Sequence, residues 1–160
     1  MIKIQKAKPD EAVTVEMTLA GETFEIDLMP ITDEERINAF KAFRKRKQLY
    51  NPLSKGMELV SYFDDEDPAF RKAADDLLDK IIVDFRGVGD AEGNPIDGKL
   101  LENKLLLGSI SVEDVEEIPV VDESGATSII RQARKRLLRA LIVDRAVALS
   151  QATAEVDEKN

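Results

Sequence analysis

Residues 13 to 19 (VTVEMTL) alternate Val13, Val15, Met17 and Leu19 with Thr14, Glu16 and Thr18, the period of a strand with one buried face. After Ala20-Gly21, residues 22 to 28 (ETFEIDL) repeat that pattern with Phe24, Ile26 and Leu28. A short glycine-containing connection between two such runs predicts an antiparallel hairpin, with Ile2 and Ile4 as candidates for a third strand. A lone hairpin is marginal in water, so helices are expected to cover its apolar face.

Thr32 and Glu35 have capping-box spacing, which predicts a helix starting near Asp33, carrying Ile37, Phe40 and Phe43 on one face and ending before Asn51-Pro52. Its second half, Lys41 to Lys47, is basic, as suits the negative end of a helix dipole. The run at 64 to 67 (DDED) followed by Pro68 supplies a cap and a first-position proline. Beyond it Phe70, Ala73, Ala74, Leu77, Leu78, Ile81, Ile82 and Phe85 recur at three- and four-residue intervals, predicting a central helix from Pro68 to Phe85. Residues 86 to 98 (RGVGDAEGNPIDG) read as a long loop, and 100 to 107 as a short apolar helix. Ser111 and Asp114 suggest a capped helical turn through Glu117, and Ile118 to Val121 an extended connector.

The last predicted helix, Ser128 to Ser150, has one broad apolar arc through Ile129, Ile130, Ala133, Leu137, Ala140, Leu141, Val147 and Ala148. Opposite it, Leu138, Ile142 and Leu149 form a second strip among Arg131, Arg134, Lys135, Arg139 and Arg145. A helix apolar on two faces is either sandwiched inside its own domain or shared with a partner, and the pattern leaves both open. The fold expected is α+β and mainly helical: an N-terminal hairpin or small sheet on a bundle of about four helices. One domain should span 1 to 151, with a disordered tail from 152 to 160.

Composition narrows the chemistry. The chain has 160 residues, 43% of them apolar and 34% charged, with a formal net charge of −9 that repels nucleic-acid backbones. No run is apolar and long enough to span a membrane as a helix, and the N-terminus lacks a signal-peptide core, so a cytoplasmic site is expected. Histidine and cysteine are both absent, which removes thiol nucleophiles, imidazole bases and thiolate metal sites. The glycines of GVGDAEG lack dinucleotide-fingerprint spacing. Asp90, Glu92 and Asn94 match the first three ligand spacings of an EF-hand loop. Pro95 and Leu101 break the rest, so an Asx turn is the better reading. No cofactor, no metal and no enzymatic activity are expected. The basic segments 41 to 47 and 131 to 139 lack the aromatics of a single-strand platform and should pair with acidic surface.

The hairpin running into LMPITDEER, the helical middle, and the loop VGDAEGNPIDGKLLENKLLL together resemble the tail assembly chaperones of tailed phages and prophages, over residues 13 to 107. Members often carry tryptophan ahead of the glycine turn, where this chain has Phe85-Arg86. The resemblance implies a factor in the host cytoplasm that binds the tape-measure protein and keeps its long apolar helices soluble until tube subunits polymerise. The alternatives are a structural tail or head-completion subunit that forms a homo-oligomer, and a nucleic-acid-binding regulator. From the residues alone, the expected protein-binding set is Leu138, Ile142 and Leu149 with Arg131, Arg134, Lys135 and Arg139 around it.

Overall fold

A computed structural model of the chain describes residues 10 to 151 together with the backbone of Ile2–Ile4 (β1) and Ala154–Val156 (β9). Val13–Leu19 (β2) and Glu22–Leu28 (β3) form the expected hairpin, turned at Ala20 and Gly21, both at positive φ as a two-residue primed turn requires. Ile2–Ile4 does not join it: β1 pairs antiparallel with β9. The tail expected to be disordered lies outside the described residues except for β9.

Thr32 caps Asp33–Phe40 (α1) by accepting from the Glu35 amide at 3.1 Å. The helix stops much earlier than expected. A single tight turn at Lys41–Phe43 leads into Lys45–Asn51 (β4), which doubles back as Gly56–Tyr62 (β5). Asp67 then caps Pro68–Ile81 (α2), accepting from the Ala69 amide at 3.0 Å. At the β-branched pair Ile82-Val83 the chain turns extended, and Ile82–Arg86 (β6) adds to β3 as the third strand. Leu101–Gly108 (α3) follows the glycine loop. Ser111–Val121 (β7) and Thr127–Leu137 (β8) then pair over their whole length before Leu138–Leu149 (α4) closes the chain.

The mainly helical expectation is therefore corrected: 32% of the structure is helix and 40% strand. Four segments expected to be helical are extended instead. The expected first helix is β4 from Lys45 on, the end of the central helix expected to reach Phe85 is β6, the turn at 111 to 117 is β7, and the first half of the last helix is β8.

The apolar face of the β2–β3–β6 sheet, with Val15, Phe24, Ile26, Leu28, Ile82 and Phe85, packs in one core with Leu77, Leu78 and Ile81 of α2, Leu107 of α3 and Leu138, Ile142 and Ala146 of α4. Its other face is polar. There Arg86 donates to both oxygens of Asp27 at 2.8 and 2.9 Å and also reaches Glu25, while Thr14 donates to Asp27 at 2.6 Å. The bonds from Arg86, then from Thr14, hold the Asp27 carboxyl down at about 2 from an ordinary 3.8, and the same pairing raises Arg86. A depressed carboxyl contributes stability that is complete above the unfolded value and is lost as pH falls through the folded one. The urea midpoint should drop between pH 4 and pH 2, and Asp27→Asn should flatten that part of the profile. An unchanged slope in the variant would show that Asp27 does not carry it.

Buried Lys104 ties α3 to α2, donating to the Asp79 carboxylate at 2.8 Å, so this cation is paired at the edge of the core.

A candidate helix-binding groove and two β arms

Between α1, α2 and α4 lies a groove of about 460 Å³. Its floor and walls are Ile37 and Phe40 from α1, Phe63 after β5, Ala74, Leu77 and Leu78 from α2, and Ala140 and Val143 from α4. Ile37 and Phe63 are exposed, although both belong to the apolar lining. One end is aromatic: Phe40, Phe43, Phe63 and Phe70 form a cluster in which Phe63 stacks on Phe70 at 5.4 Å and Phe40 lies 5.3 Å from Phe70.

The polar part of the lining is cationic. Arg36, Arg44, Arg136 and Arg139 border the groove against a single carboxylate, Asp144. Arg36 bonds Asp33, Arg136 donates to Asp144 at 2.8 Å and to Asp114 at 3.4 Å, and Arg139 donates to Asp75 at 3.1 Å. Bonding to Asp144, and then to Asp114, raises the Arg136 pKa. Among the described residues the Arg139 Nε is a buried donor with no acceptor. Three of the four guanidinium groups are thus held by carboxylates of the chain itself, and among the described residues Arg44 is the one at this border without such a partner, which leaves the rim locally far less acidic than a chain of net charge −9 would suggest. An apolar trough bordered by guanidinium groups complements an amphipathic helix whose apolar stripe is flanked by carboxylates.

Two β arms spring from this region. The first, β4 and β5, has its root at Arg44 and Phe63 and carries Tyr50, Met57 and Leu59 exposed near a turn where Leu53 is 94% accessible. Lys45 bonds Asp64 at 3.3 Å and Lys47 lies over the Tyr62 ring at 4.7 Å. The second, β7 and β8, pairs eleven residues per strand, a ribbon of about 35 Å at strand spacing. Val115, Val121, Ile129 and Ile130 are exposed on it. A two-stranded ribbon with apolar groups in water gains little from burial, so both arms are suited to being covered by another surface.

The arm's turn repeats the glycine loop. Asp122 accepts from the amides of Ser124 and Ala126, as Asp90 does from Glu92 and Asn94, with Gly125 and Gly93 at φ near +82° in the matching place. The bonds from Ser124 and Ala126 lower the Asp122 pKa. Asp90 thus closes an Asx-type turn, as expected, and the described residues hold no cluster of acidic side chains suited to a metal ion.

The expected protein-binding set is dispersed. Leu138 and Ile142 are fully buried in the core and Leu149 packs against it, so the second strip of α4 is internal because that helix is sandwiched between the sheet and its neighbours. Arg131, Arg134 and Lys135 lie on β8, exposed along the second arm, while Arg139 alone of the set borders the groove. The basic segment pairs with acidic surface of its own chain, Arg131 with Glu117 and Arg134 with Glu116. Sequence reading missed Arg44, Phe63, Arg136 and Val143, although Ile37 and Phe40 already shared a face of the first helix.

No family model, curated protein or solved structure matches this chain. Among the described residues no helix is long and apolar enough to cross a membrane.

Proposed function

We propose that this chain is a non-enzymatic assembly factor that holds an amphipathic, acid-flanked helix of a partner protein in the groove between α1, α2 and α4. The observation that carries the reading is the union of an apolar floor with a border of four arginines on an otherwise acidic protein. Such a groove recognises a helix by burying its apolar stripe and fixes its orientation by charge. The resemblance to tail assembly chaperones supplies the partner's class: a tape-measure protein, whose long helices need shelter before they are enclosed, in the host cytoplasm. Proteins of this class need exposed apolar surface and no catalytic groups.

Co-expression with a tape-measure protein should give a soluble complex that Val143→Glu abolishes, because the new carboxylate sits in the apolar wall and repels an acidic partner. A complex that survives this substitution with unchanged affinity contradicts the groove as the site. A structural subunit is the second reading, favoured by the uncovered arms, and it predicts that the purified chain forms no complex with a tape-measure protein.

A further inference from the structure

The second arm exposes two strand edges, since β7 and β8 pair only with each other among the described residues. We propose that copies of this chain join head to tail through it, β7 of one copy pairing antiparallel with β8 of the next. This association is separate from the groove and does not depend on what the groove binds.

The direction of the backbone groups comes first. The Asp122 amide donates to the Ala126 carbonyl at 3.0 Å and the Leu138 amide to the Ile110 carbonyl at 2.7 Å, one bond at each end of the ribbon. Hydrogen-bonded pairs alternate along an antiparallel ladder, so the even-numbered residues of β7 bond β8 and the odd-numbered ones turn outward. Ser111, Glu113 and Glu117 therefore present free amides and carbonyls on the open edge, Val115 between them offers its carbonyl while its amide bonds the Asp114 carboxylate at 2.9 Å, and Pro119 removes the donor beyond them. The usable part of the edge is its lower half, nearest the domain.

Charge then selects the partner. β7 carries Glu113, Asp114, Glu116 and Glu117 and no cation, whereas β8 carries Arg131, Arg134, Lys135 and Arg136 and no acid. A β7 edge against another β7 sets four carboxylates against four, and β8 against β8 does the same with cations. Only β7 against β8 matches. Hairpins side by side and pointing the same way continue the antiparallel pattern, and the register used within the chain then places Glu113 and Glu117 opposite Lys135 and Arg131 of the next copy. Glu113 and Lys135 have no ion pair within the described chain, so both are available for this contact. Because the two edges differ, the contact leaves one edge open at each end and propagates beyond a dimer.

Sedimentation velocity of the full chain over a range of concentrations tests this. At low salt the oligomers should grow past two copies, and added salt should weaken them, since the pairing charges are exposed. By the same alternation the odd-numbered residues of β8 turn outward, so Ala133→Pro removes one outward amide and no bond within the arm, and it should associate at least tenfold more weakly with an unchanged circular dichroism spectrum. Pro119→Ala restores an outward amide and should associate several-fold more tightly, a gain that a folding defect cannot imitate. A monomer at every concentration, growth that stops at a dimer, or a Pro119→Ala variant no tighter than the parent would each overturn the proposal.

Discussion

Replacing Gly98 with alanine is expected to destabilise the fold by about 3 kcal/mol or more, the upper range of overpacking effects. The reason is a close approach of two backbones. A Cβ at Gly98 would stand 2.3 Å from both the amide nitrogen and the carbonyl oxygen of Phe85, and 2.8 Å from an oxygen of Asp84. Those atoms belong to β6, which is held on one side by β3 and carries the fully buried Phe85 ring, so the strand cannot yield without disturbing the core. Gly56→Ala is the control, because its nearest neighbour would be 4.0 Å away and its φ lies outside the left-handed region that side chains avoid. It should change stability by no more than about 0.5 kcal/mol. Chemical denaturation of the two variants measures the difference, and a Gly98→Ala loss under about 1 kcal/mol would contradict the close approach.

Ile142→Ala should cost about 2 to 5 kcal/mol, as truncation of a well-packed core aliphatic does. Ile142 is completely inaccessible and belongs to one core with Leu78, Ile82 and Leu138. Its removal leaves a void that the sheet on one side and the helices on the other fill only in part. Ile129, 65% exposed on the second arm, gives the contrast: its truncation should stay within about 0.5 kcal/mol. Equal losses at the two positions would mean that the arm is packed or that α4 is not internal.

That pair of isoleucines shows where the sequence was legible. Residues 13 to 28 alternate cleanly because one face of β2 and β3 is buried and the other is wet, so period and burial agree. Helix starts at Thr32 and Asp67 were equally clear, since each cap is a local bond between neighbours. The arms were not legible, because beyond Val112 at its root neither face of the β7–β8 ribbon is covered by the core and nothing forces an alternation of apolar and polar residues. Instead Ile129 and Ile130 stand adjacent on opposite faces of the ribbon, and with Ala133 and Leu137 they imitate a helical stripe. A usable signal did exist: DESGA at 122 to 126 repeats the spacing of DAEGN at 90 to 94, and both close a turn between paired residues.

The candidate site was hidden for a different reason. Its border draws Arg36 and Arg44 from the first helix and the turn after it, and Arg136 and Arg139 from the junction of β8 and α4. Residues about a hundred positions apart meet only once α1, α2 and α4 are packed. The two-faced helix expected from Ser128 to Ser150 is not formed as such, because Ile129, Ile130, Ala133 and Leu137 of its broad arc lie on β8 and only Leu138–Leu149 is helical. The fold decides for internal at Leu138 and Ile142, and the face carrying Ala140 and Val143 is the one that borders the groove.

The chain contains no tryptophan, so Phe63→Trp places a single reporter at the aromatic end of the groove. Titration with a synthetic amphipathic helix whose apolar stripe is flanked by glutamates should shift its emission to the blue in a saturable, salt-sensitive way. The same helix flanked by lysines should bind at least tenfold more weakly. Equal binding of the two peptides, or no change of emission with either, would contradict the groove as a recognition site for an acid-flanked helix.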